Sequence, residues 1–557
     1  MSHRKLLALA LTTVGALAVT TLNTPASVAD DTRSTEPAQA SSSEYYEDYT
    51  TTIIVQLTDD APALAEMKER VSASVAAAVP GANVTGVREY THVLRGFAIR
   101  APMSALKAIK ATPGVKAAFK DRYSATVYDE YGPSSNGNKD KDHDPSHSAA
   151  MDMTAAAQAT HKGSGQVIEV IDTGFDTSHA AFAGPVEGAR LAQSDVASLT
   201  AGLGDGKGGG WVSAKIPFAY DYADGDADVS YPDPGQFPDQ TSDARYTHGT
   251  HVAALAAANG SEFRGAAPDA QLVMAKVLAD DDREINDSVL LAALDDAAIL
   301  KPDVLIVSVG DDAGQNGDAL ATYADVYAAL TAQGIAINAP AGDYTSSAWG
   351  NWNRGDQPFA TDADYGAIIL PALDSNALAV ASLDEVDKRD GQPLADPSPS
   401  RFSSWGVTPD LRLKPEIAAP GGDVMSALPA GSYGRRAGTA EASAQVAGIA
   451  ALVRQRVATD PMFSGLSAEE KNAVVTNLLM GTAHPVVDTT RGGHTFYSPR
   501  KVGAGMVDAV AATTSSVYPT VVGAATPSRP KADLGDGTDG WTFQVQLTNV
   551  SDTAHTY

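Results

Sequence analysis

The stretch Gln166-Val167-Ile168-Glu169-Val170-Ile171, followed at once by Asp172-Thr173-Gly174, decides the fold of this chain. A short, nearly continuous apolar run closed by a glycine turn reads as a strand buried on both faces, as a parallel sheet demands. A polar group placed directly after such a strand stands where open α/β sheets gather their functional side chains, at the carboxyl ends of the strands. Residues 272–277, 304–309 and 335–338 have the same texture. Helical compositions at 248–258, 287–300 and 318–333 lie between these runs. The alternation extends over 151–513 and predicts an α/β layer fold with a parallel sheet.

Ahead of this region the pattern is different. Thr51 to Leu57 reads as a strand and 61–78 as a helix. Two strands at 86–90 and 96–99, a short helix at 102–111 and a last strand at 115–119 follow. The order βαββαβ predicts an α+β ferredoxin-like unit over 50–128, with two helices on one sheet. That unit holds ten Lys/Arg against six acids, whereas the whole chain has a net charge of −28. Opposite charge favours the two parts staying together, weakly and subject to salt.

Residues 1–29 combine Arg4 and Lys5, an apolar run from Leu6 to Val19 and the small-x-small exit Ser27-Val28-Ala29, the pattern of a secretory signal peptide. Residues 30–49 and 129–150 are polar and read as linkers. In 514–557, Pro519 marks an edge strand or strand start, and Trp541 to Leu547 alternates with period two. These features read as the start of a β-sandwich that needs more residues than remain before Tyr557, so the sequence reads as a fragment.

Composition excludes several function classes. With no cysteine among 557 residues, thiol chemistry and cysteine metal sites are excluded. A pI near 4.6 disfavours nucleic acid and anionic lipid as partners. No stretch approaches the roughly 20 apolar residues of a membrane span.

Two further motifs complete a constellation with Asp172. One is His248-Gly249-Thr250-His251-Val252-Ala253; the other is Gly438-Thr439-Ala440-Glu441-Ala442-Ser443-Ala444-Gln445-Val446-Ala447-Gly448. Acid, histidine and nucleophile in that chain order make one of the three known orders of the same hydrolytic geometry. The acid orients the histidine, and the histidine takes the proton of a nucleophile held at a helix N-terminus. At the nucleophile position this chain carries the methyl group of Ala440. Ser443 lies almost one helical turn further on, where a small packing residue is expected. His179 and His251 read as packing or surface residues, and no metal site is expected.

With these three motifs, the chain resembles the subtilisin-like serine proteases, or subtilases, of the bacterial cell-envelope type. Phe402-Ser403-Ser404-Trp405-Gly406 and the segment from Leu413-Lys414-Pro415-Glu416 to Gly421 also match family segments. The resemblance implies a peptide-pairing strand at Ser308-Val309-Gly310, an inhibitory prodomain at 50–128 and a peptide or protein ligand in the cleft. It implies a secreted or cell-envelope location and no required cofactor, with calcium as a candidate structural ion. For calcium the acidic loop 221–228 offers oxygen donors, but it lacks the terminal glutamate of a helix-loop-helix calcium site and reads first as a solvated acidic loop.

The chain departs from the family at the site itself. Ala440 replaces the serine, and Asp343 stands where an asparagine would help bind the oxyanion. Glu441 replaces methionine and Ala444 replaces proline. In subtilisin, loss of the serine costs about 2 × 10⁶ in kcat, and loss of an oxyanion donor about 10²–10³. The expectation is a proteolytically inactive homologue that binds peptide or regulates. The alternative is an active serine endopeptidase whose nucleophile is altered in this sequence. Without the serine, the resemblance implies a prodomain that stays covalently attached.

Overall fold

A computed structural model describes residues 8–9, 49–124, 149–203, 210–230, 244–281, 285–310, 317–344, 368–384, 388–389, 392–393, 396–408, 410–489, 495–523, 529–534 and 540–556. The signal peptide and the two linkers read from the sequence fall almost wholly outside these residues.

The N-terminal unit comprises β1 (Thr50–Leu57), α1 (Leu64–Ala78), β2 (Thr85–Tyr90), β3 (Gly96–Pro102), α2 (Leu106–Lys110) and β4 (Val115–Lys120). Its strands pair antiparallel in the order β2-β3-β1-β4. Alternation sorts β1 by face. Ile53 and Val55 pack on the unit's own helices with Met67, Val71 and Ile109, while Ile54 turns outward to join the core of the larger domain.

The larger domain is built on seven parallel strands, β5 (Val167–Asp172), β6 (Phe218–Asp221), β7 (Gln271–Lys276), β8 (Val304–Val307), β9 (Ala336–Pro340), β10 (Ala377–Asp384) and β11 (Ile417–Gly422). Their order is β11-β10-β9-β8-β5-β7-β6. Helices cover both faces, giving the subtilisin-like α/β fold. On one side lie α3 (Ala244–Ala257), the long α6 (Thr439–Thr459) and α7 (Ala468–Gly481); on the other lie α4 (Asp287–Leu300) and α5 (Asp318–Ala332). A Cβ on Gly448 would come within 2.5 Å of the Ala256 carbonyl oxygen, so glycine there allows α6 to lie against α3. β12 (Val424–Leu428) and β13 (Ser432–Arg436) form a hairpin leading into α6.

The apolar reading of β5 overlooked one residue. Glu169 is fully buried mid-strand, and neither carboxylate oxygen has a hydrogen-bond partner among the described residues. Burial, reinforced by the nearby Asp296, pushes its carboxyl well above the ordinary range, favouring the protonated form.

The N-terminal sheet rests on α4 and α5. Both oxygens of the buried Asp295 on α4 accept the backbone N–H groups of Thr91, His92, Val93 and Leu94 in the β2–β3 turn, at 2.7 to 3.1 Å. Asp121 accepts from the backbone N–H and hydroxyl of Ser288 in the first turn of α4, satisfying a donor left open at a helix start. Arg122 pairs with Asp287 at 2.8 Å, and Gln56 and Lys116 reach Asp325 on α5.

At the C-terminal end, β14 (Val517–Val521) pairs antiparallel with β15 (Val545–Asn549). The alternating run from Trp541 becomes a strand only from Val545, and Trp541 and Phe543 are about half exposed. Arg529 and Lys531 converge on the buried Glu416 at 2.7 and 2.9 Å, which ties the segment after the α/β domain back to it.

Candidate active site

The sheet brings three of the sequence-predicted positions to one edge. Asp172 ends β5, Ser308 directly follows β8, and Asp343 lies just past β9. β5, β8 and β9 are neighbours, so their carboxyl ends open together. His248 is the fifth residue of α3, not its first as the sequence suggested, and its Nδ1 faces both oxygens of Asp172 at 2.9 and 3.1 Å. Asp172 is wholly buried and His248 nearly so. Close packing secures this approach, since a Cβ on Gly249 would stand 3.1 Å from the Asp172 Cβ. The pair therefore has the geometry by which a carboxylate fixes an imidazole's orientation and tautomer.

Ala440 lies buried in the first turn of α6. Its neighbours tie that turn to the strand ends. Thr439 donates to Asp343 Oδ1 from its backbone N–H at 3.0 Å and from its hydroxyl at 2.8 Å, and the Gly342 N–H donates to the same hydroxyl at 3.0 Å. Asp343 thus stands beside position 440, where the sequence placed it. A carboxylate has no N–H to offer, so it cannot replace the amide donor that an asparagine would supply.

The sequence reading missed the partner of Glu441. Glu441 is buried, and its Oε1 lies 3.2 Å from Nδ1 of His251, one turn beyond His248 on α3. The His251 Nε2 faces the carbonyl oxygens of Val424 and Gly434 at 3.2 and 3.3 Å, which requires a proton there. Glu441 Oε1 and His251 Nδ1 are thus buried against each other. Burial alone pushes the Glu441 carboxyl up, but the imidazoles of His251 and His248 outweigh it and hold the carboxyl below its ordinary value. The second carboxylate at the site is therefore ionised and paired. Two histidines one turn apart, opposite a glutamate beside the nucleophile position, were the sequence signal for it.

The acidic loop is also organised around a cation of the chain's own. The ammonium of the buried Lys276 lies 2.6 Å from Asp221, 2.5 Å from Asp280 and 3.7 Å from Asp224. Those three carboxylates form the loop's candidate metal cluster, with Lys276 among them. A calcium ion there would have to displace or share that charge. No helix among the described residues is long and apolar enough to cross a membrane.

A model of the subtilase family matches residues 163–505, well over half of the chain and all three motif positions. The chain belongs to the subtilase family. It is similar to the PII-type proteinase of Lacticaseibacillus paracasei, at 24% identity over 87% of this chain and 32% of that protein. The PI-type proteinase of Lactococcus lactis subsp. cremoris is similar to the same extent. A C5a peptidase of Streptococcus pyogenes is 25% identical over 73% of this chain and 43% of its own length. This subtilase thus spans about a third of the length of the proteinases it matches. These relatives are bacterial proteinases and peptidases.

Proposed function

We propose that this protein is a secreted, peptide-binding pseudoprotease of the cell envelope, in which the subtilase scaffold is kept and proteolysis is lost. The observation that carries the reading is Ala440: a methyl group occupies the nucleophile position while the Asp172–His248 pair is formed. His248 is oriented to take a proton, and residue 440 has none to give and no oxygen to attack with. Asp343 adds an acceptor where developing negative charge needs a donor. A typical turnover of about 10 s⁻¹ would fall to about 10⁻⁵ s⁻¹ from loss of the serine alone. The ligand is a peptide or protein segment laid along Ser308-Val309-Gly310. The N-terminal unit acts as a prodomain that stays attached, because its release by self-cleavage needs the missing hydroxyl.

The second reading is an active endopeptidase whose serine is replaced in this sequence. The intact Asp172–His248 hydrogen bond favours it, since nothing else in the relay is disturbed. A peptide-panel assay of the unaltered chain, Ala440→Ser and Ala440→Ser/Asp343→Asn separates the two. We expect no turnover above background from the unaltered chain, and a gain of about 10²–10³ from the second substitution over the first. Cleavage by the unaltered chain that His248→Ala abolishes would sink the pseudoprotease reading.

A further inference from the structure

The turn between β2 and β3 sets His92 over two adjacent acids of α4. One ligand-capable atom from each of His92, Asp295 and Asp296 lies within 4.8 Å of the other two. The imidazole Nε2 stands 3.9 Å from Asp296 Oδ1. That is beyond a hydrogen bond, yet within the reach of two bonds to one ion at about 2.0–2.1 Å each. The Asp296 side chain is 3% exposed and that of His92 17%, so the carboxylate lies at the bottom of the cluster and the imidazole at its mouth. Four backbone amides already fix the orientation of Asp295.

Beneath the cluster lies a further acid. Alternation along β5 turns Glu169 to the same face as Val167 and Ile171, whose core is shared with α4. There Glu169 is wholly buried, with Asp296 as its charged neighbour. Neither of its oxygens has a hydrogen-bond partner among the described residues. Arg88 reaches Tyr222 beside these acids, but its guanidinium donates to that residue's carbonyl oxygen at 2.8 Å. Three buried acids therefore face a single imidazole, and burial makes that imbalance costly. A proton on Glu169 relieves part of the cost, and a divalent cation relieves more.

We propose that His92, Asp295, Asp296 and Glu169 form a binding site for a divalent transition-metal ion of the zinc type, which joins the N-terminal unit to the α/β domain. One imidazole nitrogen among carboxylate oxygens suits zinc, whereas calcium asks for about six to eight oxygens. His92 belongs to one unit and the acids to the other. Binding therefore couples metal to docking: the ion stabilises the docked form, and chelation loosens it. The site shares no residue with the Asp172–His248 pair and needs neither Ala440 nor a bound peptide.

The test uses the full chain, freed of metal by chelator and titrated with zinc chloride in a calorimeter. One zinc ion should bind per chain. His92→Ala, at the mouth of the site, should weaken that binding at least about tenfold, and Glu169→Gln, at its base, by a similar factor. Zinc should slow hydrogen exchange at Thr91 to Leu94 at least about tenfold in the wild-type chain and leave it unchanged in His92→Ala. Absence of zinc binding overturns the proposal, as does binding that folded His92→Ala and Glu169→Gln both retain at wild-type affinity. Exchange in the turn that ignores zinc also overturns it, because an ion bound elsewhere would not hold His92 to α4.

Discussion

Ala440 and Glu441 are adjacent, yet they change the site in different ways. Replacing serine by alanine removes one oxygen and leaves the helix start undisturbed, because alanine is small and helix-favouring. Replacing methionine by glutamate puts a charge in the interior, which is tolerated because His251 lies 3.2 Å away. Glu441→Gln should lower stability at pH 7 by about 3 kcal/mol, since it removes one partner of a buried pair. The folded carboxyl titrates below its ordinary value, so the contribution of Glu441 is complete above the ordinary range and fades as pH falls below it. Urea titrations from pH 7 downward should show the gap between wild type and Glu441→Gln closing at acid pH; a gap that widens would contradict the ion pair.

At the scale of elements, two buried charges behave in opposite ways. In β5, burial raises the Glu169 carboxyl above its unfolded value near 4.3, so folding takes up a proton as the pH rises through that value. Stability should therefore decline as pH rises above about 4.3, by up to about 1.4 kcal/mol per unit. Glu169→Leu should flatten that part of the profile and raise stability at pH 7 by about 1–3 kcal/mol. In β7, Lys276 is charged and satisfied, and here removal should hurt. Lys276→Ala leaves Asp221, Asp224 and Asp280 facing one another, and should lower the melting temperature in chelator. Millimolar calcium should restore part of that loss; thermal scans with no calcium response would show that the three carboxylates cannot hold an ion.

For the whole molecule, the question is how firmly the N-terminal unit is docked. Burial of Asp295 without its amide partners would be costly, and its four donors come from one turn of the other unit. Asp295→Ala should raise hydrogen exchange at Thr91 to Leu94 at least about tenfold while leaving the centre of the seven-stranded sheet protected. Unchanged exchange in that turn would mean that the contacts of Asp121, Arg122 and Gln56 hold the unit by themselves.

The sequence by itself determined the layer order, because hydrophobic periodicity reflects burial on one face or two and needs no knowledge of partners. The span of α4 was legible because Asp287 stands at a helix start, leucine and alanine fill the interior, and Lys301 and Pro302 follow its last residue. The Asp172, His248 and Ala440 positions were legible because each motif couples a chemical group to the small residues that let its element pack. β10 and the β12–β13 hairpin were not, because β10 is rich in alanine, which strands disfavour, and β13 carries Gly434 and two arginines. Only the tertiary structure decided what each buried charge meets. Glu441 finds His251, Asp295 finds a turn 201 to 204 residues away, and Lys276 finds Asp221 at a separation of 55. Whether such a group is paired, protonated or costly depends on neighbours brought in by chain crossing, and local sequence does not record them.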